Sequence, residues 1–313
     1  MTHTLFSSPL QGITDFRFRN AINKYFNGIA VFYAPYIRLQ GQMEIKESEK
    51  RDILPENNKG INLIPQILTN DADEFLFVAK QVQKMGYKEL NWNLACPYPM
   101  VTNRNLGAGL LNDPKRISEI LKKVNTHSDI IVSVKMRLGN NNSEEIFKIL
   151  PVLKPFSLKN IIIHPRTGKQ MYQGEVDLDA FKRCTESTGH TIVYNGDITT
   201  VTGFYEMAKR FPTINNWMLG RGMVADPFLP GMIMKNTTTY PNDRIAIFKK
   251  FHDTLFHEYE QVLSGDSHLL MKMWSLWEYF APSFKNPHKG LMKIKRAKSI
   301  DAYEVGVMEI LKG

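Results

Sequence analysis

Only two cysteines, Cys96 and Cys184, occur among 313 residues. Two thiols cannot build the disulfide framework of a small secreted fold, and such sparing use fits a reducing compartment. With so few thiols and few histidines at ligand spacing, the chain offers no metal site. No apolar run approaches the ~20 residues that cross a bilayer. The opening stretch, Met1 to Leu10, lacks the basic and apolar regions of an export signal. We therefore expect a cytoplasmic protein with no membrane and no metal partner. Low-complexity segments are missing too, and the only repeat is a β/α alternation.

What remains is ample for a core. Hydrophobic residues make up 43% and charged residues 23%, and the length suits one large domain with a modest appendage. Basic side chains outnumber acidic ones, 40 against 31, for a formal charge of +9. That balance admits a polyanion partner without requiring one.

Eight short runs rich in Ile and Val lack the polar alternation of a half-exposed strand. They span 5–9, 29–34, 61–68, 89–95, 130–136, 160–164, 191–195 and 216–220. Such runs read as parallel strands buried on both faces. Between them lie helix signals. Phe75, Val78, Ala79, Val82 and Met85 form one stripe before Gly86; Asp113-Pro114 reads as N-cap and first turn ahead of Ile117, Ile120, Leu121 and Val124. Eight such units within residues 1–240 predict a (β/α)8 TIM barrel, a fold of typically ~250 residues. An open doubly wound sheet shares the same periodicity. Past Tyr240-Pro241 strand signals stop. Helical stretches at 245–263, 268–280 and 301–311, punctuated by Pro282, Pro287 and Gly290, predict a small all-helical domain over 241–313.

Functional groups of a parallel barrel collect where strands end. Polar residues fall there repeatedly: Gln11, Gln66, Asn93 with Cys96, Lys135 with Arg137, His164 with Arg166, Asn195-Gly196-Asp197, and Gly220-Arg221-Gly222. The last two clusters suit a phosphate, because glycines let backbone N–H groups approach an anion and Arg221 adds charge. Asn195-Gly196 alone would equally be a turn. Lys135 sits in a strand of Ile, Val and Met, where an ammonium is costly unless an anion meets it. His164 alone reads as a core histidine. Cys96 stands at a strand end before a glycine-dotted loop, whereas Cys184 reads as a buried helix residue.

Taken together, these segments resemble the tRNA-dihydrouridine synthase family along nearly the whole chain. Ser8-Pro9-Leu10-Gln11-Gly12-Ile13-Thr14-Asp15 is similar to its opening A-P-M-x-G-x-T-D, and Pro65-Gln66-Ile67 to its flavin-contacting strand. Asn91-Trp92-Asn93-Leu94-Ala95-Cys96-Pro97, then Gly107-Ala108-Gly109-Leu110-Leu111, resembles D-x-N-x-G-C-P with G-A-x-L-L. Val134 to Gly139, His164 to Thr167, Asn195 to Ile198 and Gly220 to Gly222 follow in family order. Leu10, Asn91 and Ala95 depart from the pattern. The helix over 271–280 and the basic stretch after it look most like the bacterial C-type group, which acts on an early D-loop uridine.

The resemblance implies FMN, reduced by NADPH, and a tRNA uridine that receives hydride at C6 and a proton at C5. Cys96 is assigned that proton, since a thiol with a reference pKa of ~8.5 stays protonated near neutrality yet can donate. Pro9, Leu10, Gln11, Gln66 and Lys135 are matched to the isoalloxazine, and Asn195, Gly196, Asp197, Gly220 and Arg221 to the ribityl phosphate. His164 is counted with the cofactor and Asn93 and Arg166 with the substrate, although the resemblance leaves their division open. The base must be turned out of its stack to react, so affinity must come from backbone contacts elsewhere. Lys285, Lys289, Lys293, Lys295, Arg296 and Lys298, with no acid among them, are the candidate RNA face, and a solvated helix face is the alternative. We expect a monomer. Two other readings share some features: an FMN barrel oxidoreductase of a free pyrimidine such as dihydroorotate, and a non-catalytic RNA-binding protein on a barrel.

Overall fold

The computed structural model describes residues 3–312, and their contacts gather into two units. The first comprises the chain up to Pro9, Ala30–Asp197 and Met207–Leu219; the second comprises Leu10–Ile29, Ile198–Glu206 and the chain from Gly220 onward.

Nine strands run in parallel: β1 (Thr4–Ser7), β2 (Ile29–Tyr33), β3 (Leu63–Ile64), β4 (Gln66–Ile67), β5 (Glu89–Leu94), β6 (Ile131–Gly139), β7 (Leu158–Thr167), β8 (Ile192–Tyr194) and β9 (Asn216–Leu219). Their order is β3-β2-β1-β9-β8-β7-β6-β5-β4. β3 and β4 are the single expected strand over 61–68, divided at Pro65, which has no N–H to give a ladder. The Pro65 carbonyl still accepts from the Asn91 N–H at 2.9 Å. Joining the two pieces closes the order into a ring of eight, with β1 paired to β9. The fold is the TIM barrel, and the open sheet is excluded.

Side-chain alternation explains what fills the barrel. Phe6, Tyr33, Ile64, Ile162, Val193 and Met218, from six different strands, form one buried apolar layer. Two residues further on, the chain reads Ser8, Gln66, His164 and Asn195, all buried and all polar. A hydrocarbon plug thus gives way to polar groups within one step along the strands. Opposite-facing residues pack outward, as Trp92 does against Phe75 at 5.8 Å.

Helix signals were read where helices form. Helix Ala72–Lys84 begins at Asp71, whose carboxylate accepts from the N–H groups of Asp73 and Glu74, and it stops before Gly86 at φ 93°. Helix Pro114–His127 begins at Asp113, which accepts from the Arg116 N–H at 2.9 Å. Several strand boundaries differ from the expected ones, three of them with consequences for the site. β1 ends at Ser7, so Pro9, Leu10 and Gln11 lie in the following turn. β6 and β7 run longer than expected, placing Arg137 and Arg166 within strands, and the β6–β7 register shifts between Arg137 and Gly139.

In the second unit, helix Phe16–Tyr25 packs on helix Arg244–Glu260 through Phe18 and Phe251, with ring centroids 5.9 Å apart. Helices Asp266–Phe280, His288–Arg296 and Ile300–Lys312 follow. Gly290, expected to interrupt the helices, lies inside one of them. A Cβ on Gly290 would meet the Gly306 carbonyl oxygen at 2.6 Å, and one on Gly306 would meet the Ile294 nitrogen at 2.9 Å. The glycine pair lets two helix backbones touch. Beneath it the Trp277 N–H donates to the Tyr303 oxygen at 2.9 Å. The Tyr303 hydroxyl also lies 2.6 Å from His252 Nε2, and the Asp253 carboxylate lies 3.0 Å from Nδ1 of the same ring.

Candidate active site

A chain of hydrogen bonds crosses the inside of the barrel. Ser133 Oγ donates to the Glu89 carboxylate at 2.6 Å, and Asn91 Nδ2 donates to Ser133 at 2.9 Å. Gln66 Nε2 donates to Asn91 Oδ1 at 2.7 Å, and Asn93 Nδ2 donates to Gln66 Oε1 at 2.7 Å. Asn93 Oδ1 then accepts from the backbone N–H groups of Ala95 and Cys96 at 2.9 and 3.0 Å. Both ends are fixed, one by a carboxylate that only accepts and the other by N–H groups that only donate, so every amide between has one orientation. This array sets the backbone of Cys96. Asn91 and Ser133 were not singled out from sequence as site residues; their two-residue spacing from Asn93 and Lys135 on the same strand faces was the available signal.

Cys96 is buried, its thiol pushed up from the usual range chiefly by that burial and drawn partly back by the Tyr98 N–H, the Tyr36 hydroxyl and the charges of Arg137 and Lys135. At neutral pH it is a thiol. Gly107 covers it at φ 56°: a Cβ there would lie 2.6 Å from the Cys96 carbonyl oxygen and 2.9 Å from its Cβ. Arg137, wholly buried, donates to the carbonyls of Ala95 at 3.0 Å, Thr167 at 2.7 Å and Met171 at 2.6 Å. One guanidinium therefore ties the cysteine's segment to the loop after β7. Neither this tie nor Tyr36 was legible in the sequence.

Lys135 lies beside Asn93 in the β5–β6 register. It is buried, and burial, followed by the Arg137 charge, lowers its ammonium to about 7. Among the described residues it has no carboxylate partner. Arg166 donates to both Asp197 carboxylate oxygens and to the Gly174 carbonyl at 2.7 Å. Its Nη1 also lies 3.2 Å from His164 Nε2. Arginine can only donate, so that ring nitrogen accepts and His164 carries its proton on Nδ1. The Arg166 Nε–H, buried, has no acceptor among the described residues. Asn195 Nδ2 donates to the Met218 carbonyl at 2.9 Å. Gly196 is close-packed, a Cβ there meeting the Tyr194 hydroxyl at 3.0 Å, and Asp197 adopts φ 35°. The first unit thus brings Gln66, Asn93, Cys96, Lys135, His164, Arg166, Asn195, Gly196 and Asp197 to the strand ends of one barrel.

Leu10, Gln11, Gly220 and Arg221 belong to the second unit. The Leu10 N–H and carbonyl are both engaged by Thr14, and Gln11 is exposed. Gly220 precedes helix Arg221–Ala225, in which a Cβ on Gly222 would sit 2.0 Å from the Ile198 carbonyl oxygen. In the basic segment, Lys289 and Lys293 both pair with Glu309, at 3.0 and 2.8 Å. Lys295 lies over the Trp274 ring at 5.5 Å, and Lys285, Lys295, Arg296 and Lys298 are exposed. The two lysines hold Glu309 down at about 2, so it is ionised at neutrality.

The TIM barrel gathers a lysine, a histidine and a thiol above its apolar plug, and the family to which the chain belongs gives the class: a flavin-dependent oxidoreductase. Residues 6–294 match the family model described as Dihydrouridine synthase (Dus), and the chain belongs to that family. The tRNA-dihydrouridine synthase B of Pasteurella multocida is 28% identical over 73% of this chain and 68% of its own. The tRNA-dihydrouridine(16) synthase of Cupriavidus necator is 24% identical over 86% of each. Among solved structures, morphinone reductase in complex with tetrahydroNAD superposes with a TM-score of 0.54 at 8% identity, covering 78% of this chain and 89% of that one. That likeness shows the shared barrel.

Proposed function

We propose that this protein is an FMN-dependent, NADPH-driven enzyme that reduces a D-loop uridine of tRNA to 5,6-dihydrouridine. The single observation that carries the reading is Cys96: a thiol kept protonated by burial, its backbone fixed by Asn93 and Arg137, on the same barrel as a lysine with no carboxylate partner among the described residues. The residues fit a flavin. The Lys135 ammonium has no carboxylate partner among the described residues and the buried Arg166 Nε–H has no acceptor. Both suit an electron-rich ligand. Bound flavin supplies the hydride that reaches uracil C6.

The chain's own groups do the rest. Cys96 gives its proton to C5 as negative charge develops on the pyrimidine. Lys135, together with Pro9, Leu10, Gln11 and Gln66, holds the ring system, and its positive form answers negative charge there. Asn195, Gly196, Asp197, Gly220 and Arg221 hold the phosphate. The Asp197 carboxylate also fixes the Arg166 guanidinium and so orients its Nε–H, which has no acceptor among the described residues. His164, whose Nε2 accepts from Arg166, is counted with the cofactor contacts. Asn93 and Arg166 serve the turned-out uracil. In this reading residues 1–240 form the catalytic domain and 241–313 the tRNA-binding domain, with Lys285, Lys289, Lys293, Lys295 and Arg296 on backbone phosphates. The enzyme works as a cytoplasmic monomer without a metal ion.

The reading is tested by supplying purified protein, FMN and NADPH with tRNA transcripts that carry unmodified uridine. We expect dihydrouridine in the D-loop by nucleoside mass spectrometry, and no reduction of free uracil or orotate. Reduction of a free pyrimidine with no activity on tRNA would replace the proposal.

A further inference from the structure

Within the second unit, the turn over residues 10–13 is held by a helix that lies 260 residues further along the chain. Lys272, on helix Asp266–Phe280, donates to the Gly12 carbonyl at 2.7 Å. The same ammonium lies 3.8 Å from the Asp15 carboxylate and 4.4 Å from the centre of the Tyr259 ring. Asp15 is already engaged. Its carboxylate accepts from the Phe18 N–H at 3.1 Å, capping helix Phe16–Tyr25, and from the Tyr259 hydroxyl at 2.8 Å. The Gly12 carbonyl is therefore the closer partner of Lys272, and Asp15 a more distant charge.

The turn also has bonds of its own. The Ile13 N–H donates to the Leu10 carbonyl at 3.0 Å with Gly12 at φ 77°, the pattern of a type II turn. Its apex, Gln11 and Gly12, is exposed. Water can serve an exposed carbonyl, so Lys272 is not needed to satisfy that group. An isolated charge contact near a surface also adds little stability. Yet Lys272 is drawn in until its side chain is only 16% exposed. What the contact fixes is the direction of the Gly12–Ile13 peptide: Lys272 holds its carbonyl and Leu10 holds its N–H.

We infer that Lys272 is a positioning residue for the flavin: it clamps the turn whose Leu10 and Gln11 are assigned to the isoalloxazine. The inference rests on that assignment. It gives the helical domain a second part in the reaction, beside the one proposed for tRNA. Two residues beyond Lys272, the Trp274 ring lies under Lys295 of the candidate RNA face at 5.5 Å. One helix thus serves the cofactor turn through one side chain and the RNA face through another. Lys272 stands apart from that face, because its ammonium is engaged by Gly12 and Asp15.

The test reloads flavin-free full-length protein with FMN, reading affinity by quenching of flavin fluorescence and the environment of the ring by its visible absorption bands. In Lys272→Met the FMN Kd should rise about tenfold, the effect of losing one hydrogen bond from a charged donor. The bands should shift, and the tRNA Kd should stay where it was. Lys272→Arg, which keeps charge and donors, should recover part of the loss. Gly12→Ala disturbs the same turn through φ alone, because a Cβ there meets nothing within 4 Å. It should weaken FMN to a similar degree. The double variant should lose less than the product of the two single losses, since both act through one turn. Unchanged FMN affinity and unshifted bands in Lys272→Met and Gly12→Ala overturn the inference, and so does a change in tRNA affinity alone. Where Lys272→Met does not fold, Gly12→Ala decides by the same criteria. Failure of the unchanged protein to bind FMN overturns the flavin reading itself, and is seen before any variant is compared.

Discussion

The Arg137 guanidinium donates to the carbonyl of Ala95, the residue immediately before Cys96, at 3.0 Å. The same side chain reaches the Thr167 and Met171 carbonyls from inside β6. Met171 sits at φ 53°, an uncommon conformation for a non-glycine residue, so the loop is held against its own preference. Replacing Arg137 by lysine keeps a charge but cannot serve three carbonyls. We expect Arg137→Lys to lose about 2–4 kcal/mol of stability, from buried acceptors left unmet. Urea titration checks it, and a loss under about 0.5 kcal/mol would show that the clamp is dispensable.

Lys135 links the site to pH. Its folded value, about 7, lies below the ordinary 10.5 because of burial. The unfolded chain therefore binds more protons between these values, and stability must rise with pH through that window. We expect the flavin-free protein to gain about 2–4 kcal/mol from pH 7 toward 10.5 through this residue, and Lys135→Met to flatten the slope and stabilise the protein at neutrality. The check is the difference in Tm between the two proteins from pH 6.5 to 9.5. A parallel pair of curves would contradict it.

At Gly107 the backbone conformation and the space above Cys96 both exclude a side chain. Gly107→Ala should cost about 1–3 kcal/mol and displace the cysteine loop, since neither Cys96 atom that it would strike is the end of a flexible side chain. Thermal unfolding and iodoacetamide reactivity of Cys96 should change together.

The basic segment makes an opposite-sign prediction. Glu309 occupies Lys289 and Lys293, so Glu309→Gln should release both to RNA and tighten tRNA binding. Lys295→Ala with Arg296→Ala should weaken it and lower the slope of log affinity against log salt by about 1–2. Fluorescence anisotropy with tRNA over a salt series separates the two. If neither change moves the slope, this helix does not contact RNA.

How far the chain could be read in advance depended on range. The barrel was legible because β and α periods are local: Phe75, Val78, Ala79 and Val82 declare a buried helix face without reference to anything distant. Cys96, Gln66 and Asn93 stand out in the sequence because motif spacing and strand ends coincide, and the structure sets them side by side. The contacts around Cys96 do not, since Tyr36 and Arg137 reach its surroundings from strands and loops far away in sequence. Gly290 was misread for a different reason. Glycine ends helices and also lets them touch, and only the presence of Gly306 opposite decides between the two. Likewise the basic run looked free of acids because Glu309 lies on the next helix.

One anaerobic mixing experiment tests Cys96 as the proton donor directly. Cys96→Ala loaded with FMN should be yellow and should bleach with NADPH. Mixed with uridine-bearing tRNA, the bleached variant should stay bleached and yield no dihydrouridine, while the unchanged enzyme regains its colour and yields one product per flavin. A variant that recovers its colour at the rate of the unchanged enzyme, with product formed, would contradict the assignment.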